Sequence, residues 1–309
     1  MKTQNFYRAW SGQLSRLAAL VLACGCCIAW AASDAAPASA LRGDYARLAQ
    51  ALQHNAFGQP LVLQSSESAT GLTGDIYAVV PYPFAAVSAG MQSPDHWCEV
   101  MILHINTKYC HAVVGPQGTS LRVNIGKKTP QAMADATRVE FHYRETRSLQ
   151  NYFAITLTAR EGPLGTSNYR IRLEAVELPG NKSFLHLTYA YGVGFAGRLA
   201  MQTYLATLGA GKVGFTRLDP GADGQTGYVA GVRGVVERNT MRYYLAIDSF
   251  LASQHEAPAA QLEHRLQTWF NAVERYPRQL HEVDRSDYLV MKRAEVLRQQ
   301  TLYQGVEQK

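Results

Sequence analysis

The sequence predicts an α+β protein in which an antiparallel sheet comes first and helices close the chain. Three observations carry this. Between residues 101 and 191 the apolar residues recur at every second position. The breaks between those runs hold turn-forming pairs such as Gly162-Pro163 and Pro179-Gly180. Beyond residue 196 the apolar spacing changes to three and four. Strict alternation leaves one buried and one wetter face, the habit of antiparallel sheets; parallel strands are buried on both faces.

The 309-residue chain opens with a segment that stands apart from this pattern. Lys2, Arg8 and Arg16 precede an uninterrupted apolar run, Leu17–Ala31, and Ala29-Trp30-Ala31 offers a small-residue cleavage site. The run is shorter than the ~20 residues a spanning helix needs. A cleaved signal peptide over residues 1–31 is expected, and with it a periplasmic or secreted mature protein. Val21-Leu22-Ala23-Cys24 loosely resembles a lipobox, so a lipid anchor at Cys24 is the variant. Removing the leader lowers the net charge from +6 to +3, which leaves a nucleic-acid partner without support. Three of the five cysteines leave with it. Cys98 and Cys110 remain, and an oxidising compartment favours a disulfide between them, worth about 3 kcal/mol by loop closure. The rival is a metal site using both cysteines and His111, with His96 or His104. Structural zinc sites place their cysteines closer together, so no metal is expected.

After an Ala/Ser/Pro-rich spacer over residues 32–43, expected to be disordered, Asp44–His54 has helical spacing at Tyr45, Leu48, Ala49 and Leu52. Pro60–Ser66 and Asp75–Pro81 are strand candidates. Pro83-Phe84 starts a short helix to about Met91, and Ser93-Pro94-Asp95 caps a second. Met101–Ala112 alternates Met101, Leu103 and Ile105 against His104, Asn106 and Lys108, which predicts a strand. Further strands are expected over Ser120–Lys127, Thr137–Arg144, Tyr152–Arg160, Tyr169–Leu178 and Ser183–Tyr191. Helices follow over Ala196–Leu208, Gly234–Ser253, Ala257–Arg275 and Ser286–Gln300.

The phrase DIYAVVPYPFAAV leading to WCEVMILHINTKYC, and FLHLTYAY leading to the helix at Ala196, set an order of strand, two short helices, antiparallel strands and long helix. This order resembles the START-like, helix-grip superfamily of polyketide cyclase, plant allergen and lipid-transfer domains. The resemblance implies a curved sheet gripping a long helix over residues 44–215, with residues 216–309 as a helical C-terminal extension. It also implies an apolar cavity between sheet and helix. Leu103, Ile105, Phe141, Phe153, Ile155, Leu157, Ile171, Leu173, Leu187 and Tyr189 would line it, or would simply pack a core.

Four polar residues are candidate ligand contacts. His104 and Arg170 lie on predicted strands. Arg238 and Arg242 are four apart on a predicted helix, where they share a face able to clamp a phosphate or carboxylate; pairing with acidic residues that fixes the extension is the alternative. Gly192-Val193-Gly194-Phe195-Ala196-Gly197 fits the dinucleotide-binding spacing, but it ends a meander, so a glycine hinge explains it better. No G-x-S-x-G elbow, H-E-x-x-H pair or calcium loop is present. The expectation is an exported, non-catalytic protein with no cofactor, binding a lipid or other apolar ligand. Cyclase- or hydrolase-like chemistry in the same cavity is the alternative. An interaction module whose C-terminal helices meet a membrane surface or protein is the third reading.

Overall fold

The computed structural model describes residues 36–148, 151–206, 211–220 and 226–307. The leader and its cleavage site lie outside them. The first helix, α1, covers residues 36–53. It therefore runs through most of the segment expected to be a disordered spacer. Ala38 and Leu41 are buried and continue the stripe of Leu48 and Leu52. Their three- and four-residue spacing makes the alanine-rich segment part of an amphipathic helix.

Eight strands form one antiparallel sheet: β1 (Leu61–Glu67), β2 (Gly71–Val80), β3 (Thr107–Gly115), β4 (Gly118–Ile125), β5 (Thr137–Ser148), β6 (Tyr152–Glu161), β7 (Thr166–Leu178) and β8 (Lys182–Val193). Their order across the sheet is β1-β2-β8-β7-β6-β5-β4-β3. Strands β3 to β8 are the meander predicted from the alternation. The pair α2 (Phe84–Met91) and α3 (Pro94–Met101) carries the chain from β2 to the far edge. Ser93 caps α3 by accepting from the His96 amide, with Pro94 at the first helical position. Met101 ends α3, so Leu103, His104, Ile105 and Asn106 form the connection to β3 instead of a strand face. The Cys98–Cys110 disulfide, Cα–Cα 5.1 Å, ties α3 to β3 and takes both thiols away from any metal.

The grip closes on a helix other than the one expected. Helix α4 (Phe195–Ala206) packs beside the β6–β7 turn, where a side chain on Gly197 would meet the Gly165 carbonyl oxygen at 3.0 Å. After a small hairpin, β9 (Arg217–Pro220) and β10 (Thr226–Tyr228), the 22-residue α5 (Gly231–Ala252) lies across the inner face of the sheet. Contact is direct: a Cβ on Gly74 of β2 would sit 2.3 Å from Thr240 Oγ1. Helices α6 (Pro258–Val273), α7 (Pro277–Leu280) and α8 (Arg285–Glu307) complete the chain. Met241, Leu245 and Phe250 of α5, Leu266 and Trp269 of α6, and Tyr288 of α8 share one core with β1 to β8. The expected boundary at 215/216 thus separates the sheet from its own gripped helix. This is a helix grip, but its helix comes from the segment expected to be an extension.

Polar side chains hold these C-terminal helices in place. Glu237, fully buried on α5, accepts from the Phe215 and Thr216 amides and from the hydroxyls of Thr216 and Ser65. Glu295 of α8 meets two fully buried lysines, Lys108 of β3 at 3.0 Å and Lys292 at 2.8 Å. Both ammonium groups also donate to backbone carbonyls, Lys108 to Thr129 and Lys292 to His104 and Thr107. Buried charges persist only when paired and hydrogen-bonded in this way.

Candidate functional site

The inner face of the sheet is filled. Phe141, Phe153, Ile155, Leu157, Ile171, Leu173, Leu187 and Tyr189 are 0–6% exposed and share the core with α5. Leu103 and Ile105 join the same core from the α3–β3 connection. A small cavity of about 10 Å3 touches Ile105, Arg242, Trp269 and Tyr288, room for about one water.

The four polar candidates do not converge. His104 is buried against Tyr243, ring centroids 4.9 Å apart. Burial first, then the charges of Arg242, Lys292 and Lys128, holds its pKa well below the ordinary histidine value, so the ring is neutral. Arg242 pairs with Glu282 at 2.6 Å and also donates to the Leu280 carbonyl. Arg238 donates to the Val213 carbonyl. These two arginines anchor the loops around α5, the structural alternative to an anion clamp. Arg170 lies on the opposite face of the sheet.

That outer face is built from strand registers. Nearest α1 the rows are apolar: Tyr152, Val176, Phe184 and Val79, then Ala154 and Tyr77, all packed against Leu41, Tyr45, Leu48 and Leu52. Farther along, Ser120, His142, Thr158, Arg170, Ala190, Thr73 and Ser66 pair one after another across seven strands. Among the described residues no helix covers the sheet here. A groove of about 1100 Å3 lies over this row, bounded by Gln117 of the β3–β4 turn and by Ser68 and Thr70 of the β1–β2 turn. Tyr169, Tyr191, Ala159 and Leu72 border it from strand positions whose side chains turn into the inner core, and Arg160 and Arg170 line it with His142. Its one carboxylate, Glu67, is held by Arg198 at 2.9 Å.

Between α1 and the groove runs a belt of charge. His186 Nε2 lies 2.9 Å from Asp75 Oδ1, and its Nδ1 lies 3.3 Å from Glu174 Oε2. Thr188 donates to the same Asp75 oxygen at 2.7 Å. Tyr152 and Arg172 both donate to Glu174 Oε1, at 2.6 and 2.8 Å. The imidazole stacks on Tyr77, centroids 4.2 Å apart and planes 8° from parallel. Burial opposes charge on His186, but hydrogen bonds to Asp75 and then Glu174 outweigh it and raise the pKa to about 9. Burial likewise works against Glu174, yet His186, Tyr152 and Arg172 hold its pKa below the ordinary value. Near neutral pH the belt is an imidazolium clamped by two carboxylates, not a free base.

No family model matches the chain, and no curated protein matches it in sequence. Solved structures of similar architecture include Ara h 8.0201 (13% identity, TM-score 0.36, covering 60% of this chain and 99% of that one). Human StAR-related lipid transfer protein 5 is 11% identical, TM-score 0.31, over 57% of this chain and 90% of that one. The Zhui aromatase/cyclase of a Streptomyces species is 11% identical, TM-score 0.31, over 69% and 99%. At such identity, what this chain does must be read from its own residues.

Of the residues expected to contact a ligand, only Arg170 reaches the groove. His142, Arg160, Asp75, Glu174 and His186 were not singled out. Their signal was the polar half of each alternating strand, which becomes a site only once the register sets His142, Thr158, Arg170 and Ala190 side by side.

Proposed function

We propose that the mature protein works outside the cytoplasm as a non-catalytic binder of an amphiphile, a lipid or similar apolar ligand, and that the outer-face groove is its site. The groove carries the reading. It is large enough for a drug- or lipid-sized ligand, pockets for which run to roughly 300–1,000 Å3. It lies open along the outer-face row from His142 through Thr158, Arg170 and Ala190 to Thr73, while the inner face is occupied by side chains. The leader supports the location. A non-catalytic role is supported by His186, whose two ring nitrogens both face carboxylates at neutral pH.

The test is to express the full precursor in a bacterial host, purify the exported product, extract it with organic solvent and identify bound molecules by mass spectrometry. A mature N-terminus near Ala32 and an amphiphile in stoichiometric amount are expected. A protein that is empty as purified and takes up no amphiphile contradicts the proposal. A second reading, an interaction surface on the last helix, is favoured by Val290 and Leu297, 66% and 64% exposed on α8. Lysine at both positions would abolish partner recruitment while sparing ligand uptake.

A further inference from the structure

The geometry points to an acidic ligand headgroup, a phosphate or carboxylate, held over Thr158 by Arg170 and Arg160 with His142 beside them; this rests on the groove being the amphiphile site. Thr158 pairs with His142 on one side and Arg170 on the other. Neighbouring strands lie about 4.8 Å apart, so His142 and Arg170 flank the Thr158 hydroxyl roughly 10 Å from one another. Arg160 is two residues beyond Thr158 on the same strand and the same face. One anion placed over Thr158 is thus within reach of two guanidinium groups, a hydroxyl and an imidazole.

The charge balance of the groove favours an anion. Arg160 and Arg170 are both exposed and neither makes an ion pair among the described residues, whereas four acidic groups that line the groove or flank its row are engaged. Glu67 is held by Arg198, and Glu140, beside His142 on β5, accepts from Ser120 at 2.8 Å. Asp75 and Glu174 are taken up by His186, Thr188, Tyr152 and Arg172. Guanidinium groups suit phosphate and carboxylate because their paired N–H donors match two acceptor oxygens. The tail would then lie along the same face over Ala190 and Thr73, which pair across β8 and β2.

The experiment is calorimetric titration of the mature, disulfide-bonded protein with decyl phosphate, decanol and inorganic phosphate, below micelle-forming concentrations. Wild type is expected to bind decyl phosphate at least tenfold more tightly than decanol. The double variant Arg160→Gln, Arg170→Gln is expected to lose about tenfold to a hundredfold for decyl phosphate and nothing for decanol. Arg144→Gln, an exposed outer-face arginine away from the groove lining, should change neither. Equal affinity for decanol and decyl phosphate, or a double variant that binds decyl phosphate as wild type does, overturns the anion site and leaves the amphiphile reading standing. Arginine-dependent binding of inorganic phosphate with no gain from the decyl chain keeps the anion site and removes the amphiphile. No binding of any of the three overturns both.

Discussion

Replacing His186 by glutamine should change how stability depends on pH in one defined window. The folded-state pKa of about 9 lies above the ordinary 6.5, so the protonated ring stabilises the fold. That stability is fully present below about pH 6.5 and is lost as pH rises through about 9. At ~1.36 kcal/mol per pH unit the gap converts to about 3 kcal/mol as an upper figure. Asp75 is a quarter exposed, and solvent screening brings the expectation to about 1–3 kcal/mol. For a domain of this size that is about 3–10 °C in melting temperature. Thermal unfolding of wild type and His186→Gln should therefore show a gap that is widest near pH 6 and narrows by this amount towards pH 9.5. A constant offset remains from the lost stacking on Tyr77, about 1 kcal/mol. A gap that does not change between pH 6 and 9.5 would refute the clamped imidazolium.

Three further outcomes follow from the packing. Gly74→Val drives a side chain into Thr240 and should destabilise by about 1–3 kcal/mol in urea unfolding, whereas the same change at exposed Gly43, which faces open space, should cost less. Replacing both Cys98 and Cys110 by alanine should cost about 3 kcal/mol, and reductant should then have no further effect on the variant. Burial lowers the Lys292 pKa to about 8, against the pull of Glu295. The folded state sheds this proton before the unfolded chain does, so its contribution rises with pH between about 8 and 10.5. Lys292→Met should abolish that rise in denaturant titrations while Lys108 still pairs with Glu295.

The sheet was legible because each strand from β4 to β8 carries a clean alternation bounded by turn chemistry. The region around Leu103 misled for a physical reason. Met101, Leu103 and Ile105 alternate over only five residues, a run too short to separate a strand from a helix end followed by a tight turn. Helix α5 misled through its buried polar side chains. Glu237, Arg238, Thr240 and Arg242 look like a wet face, yet loop amides, carbonyls and Glu282 satisfy them. Residues 216–309 therefore cannot be removed as an appendage without emptying the core. The groove and the charge belt beside it were invisible for another reason. Asp75 and His186 lie 111 positions apart, and no local pattern reports a register over that distance.

The most direct measurement is photocrosslinking of a diazirine-bearing decyl phosphate to the mature protein, followed by peptide mapping. If the outer-face groove is the site, label falls on the peptides carrying Thr158–Arg160, Asn168–Arg170 and Ala190–Gly192. Label concentrated on inner-face residues of the core such as Phe141, Ile155 and Leu187 would contradict it, and would show that the ligand enters between sheet and helix.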